Sequence, residues 1–544
     1  MQRERDLGRL ANGGPYDLLV VGGGAAGAAS LRAAALRGLK AALCERADFA
    51  SGTTSRSSRL IHGGLRYLEH GHLRLVRESL AERRILLGIA PHLVEPLPIH
   101  LPIYRDGRRP PWKVALGLRL YDLLAGRNRL GASRMIDTRT LPGLRAEGLR
   151  ALGVVVDARV PSPERLVIET LVDAERLGAV AVNHLELARL EESAGGLRAR
   201  LLDRTRGEPV EVQAGAVINA AGPWVGEVEQ RAGTREKRVL RGTRGSHLLL
   251  PVFDGAPERA LLVEARRDGR PFFILPADGG LLVGTTEVPH EGDPDEAVAT
   301  AAEIEYLMSE LESVWPAARG VSPYAAYAGV RPLPASGTRV AAASRRHRLE
   351  PAAAGGGPRG VFSLVGGKLT THRLEGEEAA RAVAALLGRG DRGDAEPTRT
   401  RPLPGAQCDP EPTMNPAALA ARFALPVIEA SRLLRRWGCR AWAVAAGFGD
   451  ESPLAGTGGL HPAEIRFAIE HEGAFGLDDV LYRRTGSWES PALTGDGVRA
   501  AAAVWASARR RLERRAVEPG DEAMAGAEAE RVIALFRRDH ARTL

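Results

Sequence analysis

A short strand pattern that runs without a spacer into a glycine-rich turn constrains this chain more than any other feature. Residues 16–21 (YDLLVV) are apolar and partly β-branched, and Gly22-Gly23-Gly24-Ala25-Ala26-Gly27 follows at once. An Ala-rich helical pattern continues to about Arg37, and a second apolar run, 40–44, ends at Glu45. A GxGxxG turn between a strand and a helix, with an acid some twenty residues on, is the context in which dinucleotides are bound. Gly22 permits the tight turn, Gly24 lets backbone approach a pyrophosphate, and Gly27 lets the helix lie close to the sheet. The helix start at Ala25 offers unpaired N–H groups and a positive dipole end to the phosphates. Glu45 suits the adenosine ribose hydroxyls and disfavours a 2′-phosphate.

With 544 residues the chain is longer than one growing core usually supports, so two or more domains are expected. An apolar fraction of 44% and a charged fraction of 26% exclude wholesale disorder. The net charge of +8 favours anionic partners, but no nucleic-acid-binding module is recognisable. Cys44, Cys408 and Cys439 are far apart and form no CxxC pair. No disulfide framework, iron–sulfur cluster or metal site is therefore expected, and a reducing cytoplasm fits. The first fourteen residues lack an apolar signal region, and no apolar run is long enough to span a bilayer.

The segment after Glu45 separates flavin from nicotinamide. Residues 51–67 read SGTTSRSSRLIHGGLRY: small hydroxyl residues, then a glycine pair. Such a stretch can line a pyrophosphate and pass beneath a wide isoalloxazine ring, which a nicotinamide enzyme does not need here. FAD is thus the expected cofactor, with Thr53, Thr54, Ser55, Ser58, His62, Gly63, Gly64 and Leu65 beside it.

The block SSRLIHGGLRYLEHG resembles the FAD-dependent glycerol-3-phosphate dehydrogenases of the respiratory, aerobic type. The resemblance recurs in order at 217–225 (VINAAGPWV), 245–251 (GSHLLLP), 282–293 (LVGTTEVPHEGD), 328–332 (AGVRP), 365–371 (VGGKLTT) and 464–485. One departure is Val154-Val155-Val156 before Asp157, where the family often carries an aromatic residue. The resemblance implies an α/β fold: a Rossmann-like FAD-binding domain, an interleaved, mainly antiparallel substrate-capping subdomain, and a C-terminal all-helical domain. The expected boundaries are a tail (1–15), an oxidoreductase domain (16–390), a linker (391–404) and the helical domain (405–544). Within 16–390 the flavin-binding pieces are 16–90, 153–235 and 325–390, and the cap pieces 91–152 and 236–324. Further flavin contacts implied are Ala221, Gly222, Trp224, Gly329, Gly367, Lys368, Leu369 and Thr370.

The same family implies oxidation of sn-glycerol 3-phosphate to dihydroxyacetone phosphate, by hydride transfer from C2 to flavin N5, with a membrane quinone as acceptor. That chemistry needs a base for the hydroxyl proton and cations for a phosphate of nearly two negative charges. His247 is the candidate base, because histidine titrates near the working pH. Arg331 and Lys368 are assigned to catalysis and substrate binding, and Arg66, Tyr67 and Arg345 to the substrate. Dioxygen as acceptor, an amino-acid or 2-hydroxy-acid substrate, and association into a homodimer stay open. Residues 111–130 (PWKVALGLRLYDLLAGRNRL) mix Trp, Tyr and Leu with Lys113, Arg119, Arg127 and Arg129. That composition suits a helix lying on an anionic lipid surface, peripheral on the inner face of the cell membrane, or an ordinary capping helix.

Overall fold

The strand Tyr16–Val21 sits at the centre of an eight-stranded sheet, with Ala41–Cys44 and Glu208–Asn219 parallel on either side. Val180–Val182 and Val361–Val365 extend it in parallel; Arg348–Pro351 closes one edge antiparallel. Central parallel strands are covered on both faces, and Leu18, Leu19 and Val20 are accordingly fully buried. The helix Ala25–Leu36 packs so tightly that a Cβ on Gly27 would stand 1.9 Å from the Gly22 carbonyl oxygen. The computed structural model describes residues 1–234, 240–334, 346–389, 396–408, 413–513, 520–542 and 544. Arg345 and residues 391–395 of the expected linker lie outside the described residues.

A ten-stranded second sheet caps the first, and its pairings are antiparallel except where Ala260–Glu264 runs parallel to Glu95–Tyr104. Two of its strands cross the expected boundaries. Leu149–Arg159 pairs along the length of Glu95–Tyr104, and Ala325–Pro334 pairs with Leu240–Pro251. The expected boundaries cut the first at 152/153 and leave the second, from 325, outside the cap. Val155 and Asp157 of the first of these strands reach the cavity.

Residues set apart as a tail carry the helix Arg3–Asn12, docked by Arg3 on Asp203 at 2.7 Å and by the Met1 ammonium on Glu175 at 2.6 Å. The described residues after 413 are helical, from Pro416–Phe423 to Gly520–His540. They are fastened by buried ion pairs to the loop after Ala41–Cys44 and to the helix Pro163–Arg176. Arg484 donates two hydrogen bonds to Asp48, at 2.7 and 2.8 Å, and Arg440 bridges Glu169 and Glu472. The expectation of no disulfide is corrected: Cys408 is joined to Cys439, with Cα atoms 5.8 Å apart. The cause is a close backbone approach, since a Cβ on Gly438 would stand 1.9 Å from the Gly405 oxygen. Spacing in the sequence carries no trace of it.

Candidate active site

A cavity of roughly 720 Å³ runs between the two sheets, from the end of the Ala41–Cys44 strand to the glycine pair Gly366-Gly367. That is towards the upper end of the range for small-molecule sites. At one end its wall is backbone and small side chains: Gly22, Gly24, Ala25, Thr53 and Thr54. Gly22 has φ +108°, and a Cβ there would press on Ala220. The Ala25 amide at the helix start donates to the Thr54 hydroxyl at 3.2 Å. Glu45 accepts from the Gly23 amide at 2.6 Å and the Ala47 amide at 2.8 Å. Burial raises its pKa, against the pull of those amides. Trp224 lines the same end with its indole N–H buried and unpartnered, Arg46 lying 4.3 Å over its ring. An orphaned donor, a glycine cradle and a helix start fit a dinucleotide with a pyrophosphate.

The other end is built of charged side chains. Arg66, Tyr67, Arg270, Glu287, Arg331 and Lys368 all line it. The Arg331 guanidinium donates to the Thr285 hydroxyl at 2.7 Å and the Thr286 carbonyl at 3.4 Å. Arg66 and Arg270 both approach the Glu287 carboxylate, at 3.3 and 3.5 Å. The Lys368 ammonium donates to Ser79 at 2.9 Å and lies 4.2 Å over the Tyr67 ring. Its backbone is set by Glu375, which accepts the Lys368 amide at 3.1 Å. Gly367, at φ +99°, has no room for a Cβ beside that carboxylate. The Thr370 hydroxyl exchanges hydrogen bonds with the His62 amide and carbonyl, at 3.2 and 3.3 Å.

Most residues singled out from the sequence meet here. His62, Gly64, Leu65, Ala221, Gly222, Gly329, Gly367, Leu369 and Thr370 all reach the cavity wall, as does Ser58. Gly27, Ser55 and Gly63 do not. Gly27 seats the helix; the Ser55 hydroxyl donates to the Ala50 carbonyl; a Cβ on Gly63 would stand 2.5 Å from the Tyr121 hydroxyl. His247 needs the largest correction, because it is not part of the wall. Its ring is 1% exposed, stacks on Tyr327 with centroids 5.0 Å apart, and places Nε2 2.8 Å from the Ser58 hydroxyl. Burial, then Arg331 and Arg59, hold its pKa well below the usual histidine range, so it is neutral at pH 7. Its Nδ1 is buried without a partner.

Sequence reasoning missed Arg270 and Glu287. Glu287 stands inside the quoted LVGTTEV block, where an acid among cations was the available signal. It also missed Tyr121, whose hydroxyl donates to both Asp157 carboxylate oxygens at 2.8 Å. Asp48, His184 and Asp479 converge in a cluster of metal-ligating type, and Arg483 and Arg484 neutralise it.

Comparison with known proteins agrees with this geometry. Residues 17–373 match the FAD dependent oxidoreductase family, and residues 396–512 match the C-terminal domain of alpha-glycerophosphate oxidase. The chain is 38% identical to a glycerol-3-phosphate dehydrogenase of Synechocystis sp., over 86% of this chain and 88% of that one. It is 35% identical to a D-erythritol 1-phosphate dehydrogenase of Brucella abortus, over 86% and 94%. The fold matches a glycerol-3-phosphate dehydrogenase from Bacillus halodurans complexed with FAD, with TM-score 0.78 and 24% identity, over 98% and 97% of the two chains. A flavin cradle facing a cationic pocket, with family matches over both halves of the chain, places it among the FAD-dependent oxidoreductases, in the glycerol-3-phosphate dehydrogenase family.

Proposed function

We propose that the protein oxidises sn-glycerol 3-phosphate to dihydroxyacetone phosphate and passes the electrons to a membrane quinone. The observation that carries this reading is the set of cations, Arg66, Arg270, Arg331 and Lys368, around the far end of the cavity. A phosphate monoester brings nearly two negative charges, and guanidinium forks bind it bidentately. FAD, when bound, supplies the acceptor for the hydride that leaves C2. Arg331 and Lys368 hold the phosphate and the hydroxyl-bearing carbon, Arg66 and Tyr67 the outer end. The hydroxyl proton goes to Ser58, which faces the cavity, while His247 takes the proton of Ser58. Burial is the first cause of the depressed pKa of His247; a substrate dianion beside Arg331 offsets only the smaller part due to that cation. His247 then acts through Ser58 rather than on the substrate.

No helix among the described residues is long and apolar enough to cross a membrane. In this reading the protein lies peripherally on the inner face of the cell membrane, from where it reaches the quinone. The match to the C-terminal domain of an oxidase favours a second reading, with dioxygen as acceptor. Likeness to a D-erythritol 1-phosphate dehydrogenase makes a longer polyol phosphate the competitor to compare.

The test is anaerobic addition of glycerol 3-phosphate to the yellow holoprotein, watching the oxidised-flavin band near ~450 nm. Bleaching that glycerol and lactate do not reproduce supports the substrate. Readmitting quinone or dioxygen separately identifies the acceptor. A band that does not bleach overturns the substrate, whatever the fold.

A further inference from the structure

The cavity also reaches the C-terminal helices, where Tyr482 and His540 line it together with Arg56, the last residue of the short helix Thr53–Arg56. Tyr482 belongs to the turn Asp479–Arg484, and His540 ends the helix Gly520–His540. Both are buried, at 3 and 2% exposure, with ring centroids 4.9 Å apart. Neither the Tyr482 hydroxyl nor the His540 Nδ1 has a hydrogen-bonding partner. Burial pushes the Tyr482 phenol up to about 12, so at pH 7 it is a donor with nothing to donate to. Buried polar groups are nearly always paired, and two unpaired ones on one cavity wall call for a partner the protein does not supply.

The charge around them says what that partner is. The Arg56 guanidinium lies 5.6 Å over the Tyr482 ring. Its stem is pressed against Gly329, where a Cβ would stand 2.2 Å from the Arg56 Cβ. Among the described residues Arg56 pairs with no carboxylate. The neighbouring acids are engaged: Asp478 with Arg483 at 2.9 Å, Asp539 with Arg538 at 2.5 Å, and Glu489 with Arg59. Arg542 gives its hydrogen bonds to the carbonyls of Trp488, Ser490 and Leu493. Burial first, then Arg56, Arg483 and Arg542, hold the His540 imidazole well below the usual histidine range, which records a surrounding of cations. A guanidinium, a phenol and an imidazole on one arm of a cavity are a donor set for an oxyanion.

This arm touches the reaction machinery from behind. Trp488 packs on His540 and Tyr482, with centroids 4.3 and 4.6 Å apart, and meets Tyr327 edge-on at 6.0 Å. Tyr327 stacks on His247 and donates to the Ser57 carbonyl at 2.9 Å. Ser57 stands between Arg56 and Ser58, so one turn carries a residue of the arm and a residue of the active site.

We propose that Arg56, Tyr482 and His540 form a second anion site, for inorganic phosphate or the phosphate of a small ester, and that its occupancy is felt at the flavin through the turn from Arg56 to Ser58. It is separate from Arg331 and Lys368, and only the phosphate placed there rests on the function proposed above.

The test is equilibrium dialysis of the holoprotein against radiolabelled inorganic phosphate, which needs no turnover. Two sites per chain are expected, and Arg331→Gln should remove the one that faces the substrate. In that background Arg56→Gln, Tyr482→Phe or His540→Phe should each weaken the remaining site about tenfold or more, since each deletes one hydrogen bond to an ionised group. The Tyr482 oxygen has no partner within the protein, so Tyr482→Phe keeps the fold and the test readable. Phosphate should also shift the visible flavin band of the Arg331→Gln protein, and competition by unlabelled phosphate or glycerol 2-phosphate tells the free ion from an ester as occupant. A single wild-type site that Arg331→Gln abolishes overturns the proposal. A single site that survives Arg331→Gln and weakens with Tyr482→Phe supports it, and counts instead against a phosphate at Arg331. An Arg56→Gln protein that loses flavin, beside a Tyr482→Phe protein that binds phosphate undiminished, assigns Arg56 to the cofactor and overturns the site. A flavin band indifferent to phosphate bound in the arm overturns the linkage.

Discussion

The two ends of the cavity are built by opposite means. At the cofactor end, turn, helix start and acid come from one continuous stretch, Gly22 to Glu45, and the contacts are mostly backbone. At the substrate end, Arg66, Arg270, Glu287, Arg331 and Lys368 come from five separate elements or their connections, and side chains make the contacts. Glycine geometry, enforced by sterics, sets the first. Charge pairing, enforced by partners far off in the chain, sets the second. The cofactor end should therefore fail all at once when a single Cβ is added. The substrate end should degrade step by step as partners are removed.

Gly27→Val gives the sharpest break. Its side chain would begin 1.9 Å from the Gly22 carbonyl, a backbone atom with no room to move. The helix must lift from the sheet and take the phosphate-binding amides with it. We expect a protein without flavin, or none that folds, read as the ratio of visible to protein absorbance. Retention of flavin at wild-type stoichiometry would show that this end also adapts.

At the substrate end, His247→Asn should lower turnover by on the order of 10²–10⁴ while leaving flavin bound. Ser58→Ala separates a relay from a direct base. If His247 acts through Ser58, as the 2.8 Å contact implies, both variants lose turnover alike and the double variant loses no more. Additive losses would mean that histidine and serine serve different steps.

These two ends also differ in how far the sequence disclosed them. The strand, turn, helix and acid of residues 16–45 were legible because each contact is local and each glycine has one steric purpose. The order of the motif blocks disclosed Arg66, Arg331, Lys368 and Thr370, all of which reach the cavity. What stayed hidden depends on pairings that no local pattern records. Asp48 meets Arg483 and Arg484 across 435 and 436 positions, and Cys408 meets Cys439 only because Gly405 and Gly438 touch. The burial of His247 behind Ser58 was equally invisible, for the block GSHLLLP does not say which face of its strand the ring takes. Shared strands such as Leu149–Arg159 escaped for the same reason.

Acid should loosen the helical brace behind the cofactor end without touching the glycine turn. Burial works against the ionised form of Glu472, but Arg165 and Arg440 outweigh it and hold its pKa at about 2, below the usual 4.5. A depressed carboxyl stabilises the fold above its unfolded pKa and loses that contribution as pH falls through the folded one. The window is therefore from pH 4.5 down to about 2, and the contribution is on the order of 3 kcal/mol. Stability measured by denaturant at stepped pH should be flat in this contribution above pH 5 and fall below it. Glu472→Gln should remove that part of the slope; an unchanged slope would move the acid sensitivity to other carboxylates.

Glu287→Gln makes the smallest change and tests the stepwise end most finely. The carboxylate is buried to 7% exposure in its side chain and faces Arg66 at 3.3 Å and Arg270 at 3.5 Å, while Arg270 also donates to the Glu287 carbonyl at 2.6 Å. The amide keeps the shape and removes the charge. Arg66 stands on a short helix, 30% exposed in its side chain, so loss of its partner costs it orientation more than position. If Glu287 serves to aim Arg66 at the outer end of the substrate, KM for glycerol 3-phosphate should rise about tenfold, roughly 1.4 kcal/mol, with kcat nearly unchanged. Glu287→Asp should recover part of it. The opposite sign is equally readable, because a carboxylate lining the pocket of an anionic substrate also repels it. A KM that falls on Glu287→Gln would mean that the acid competes with substrate for Arg66, and that the cations at this end are held in reserve rather than aimed.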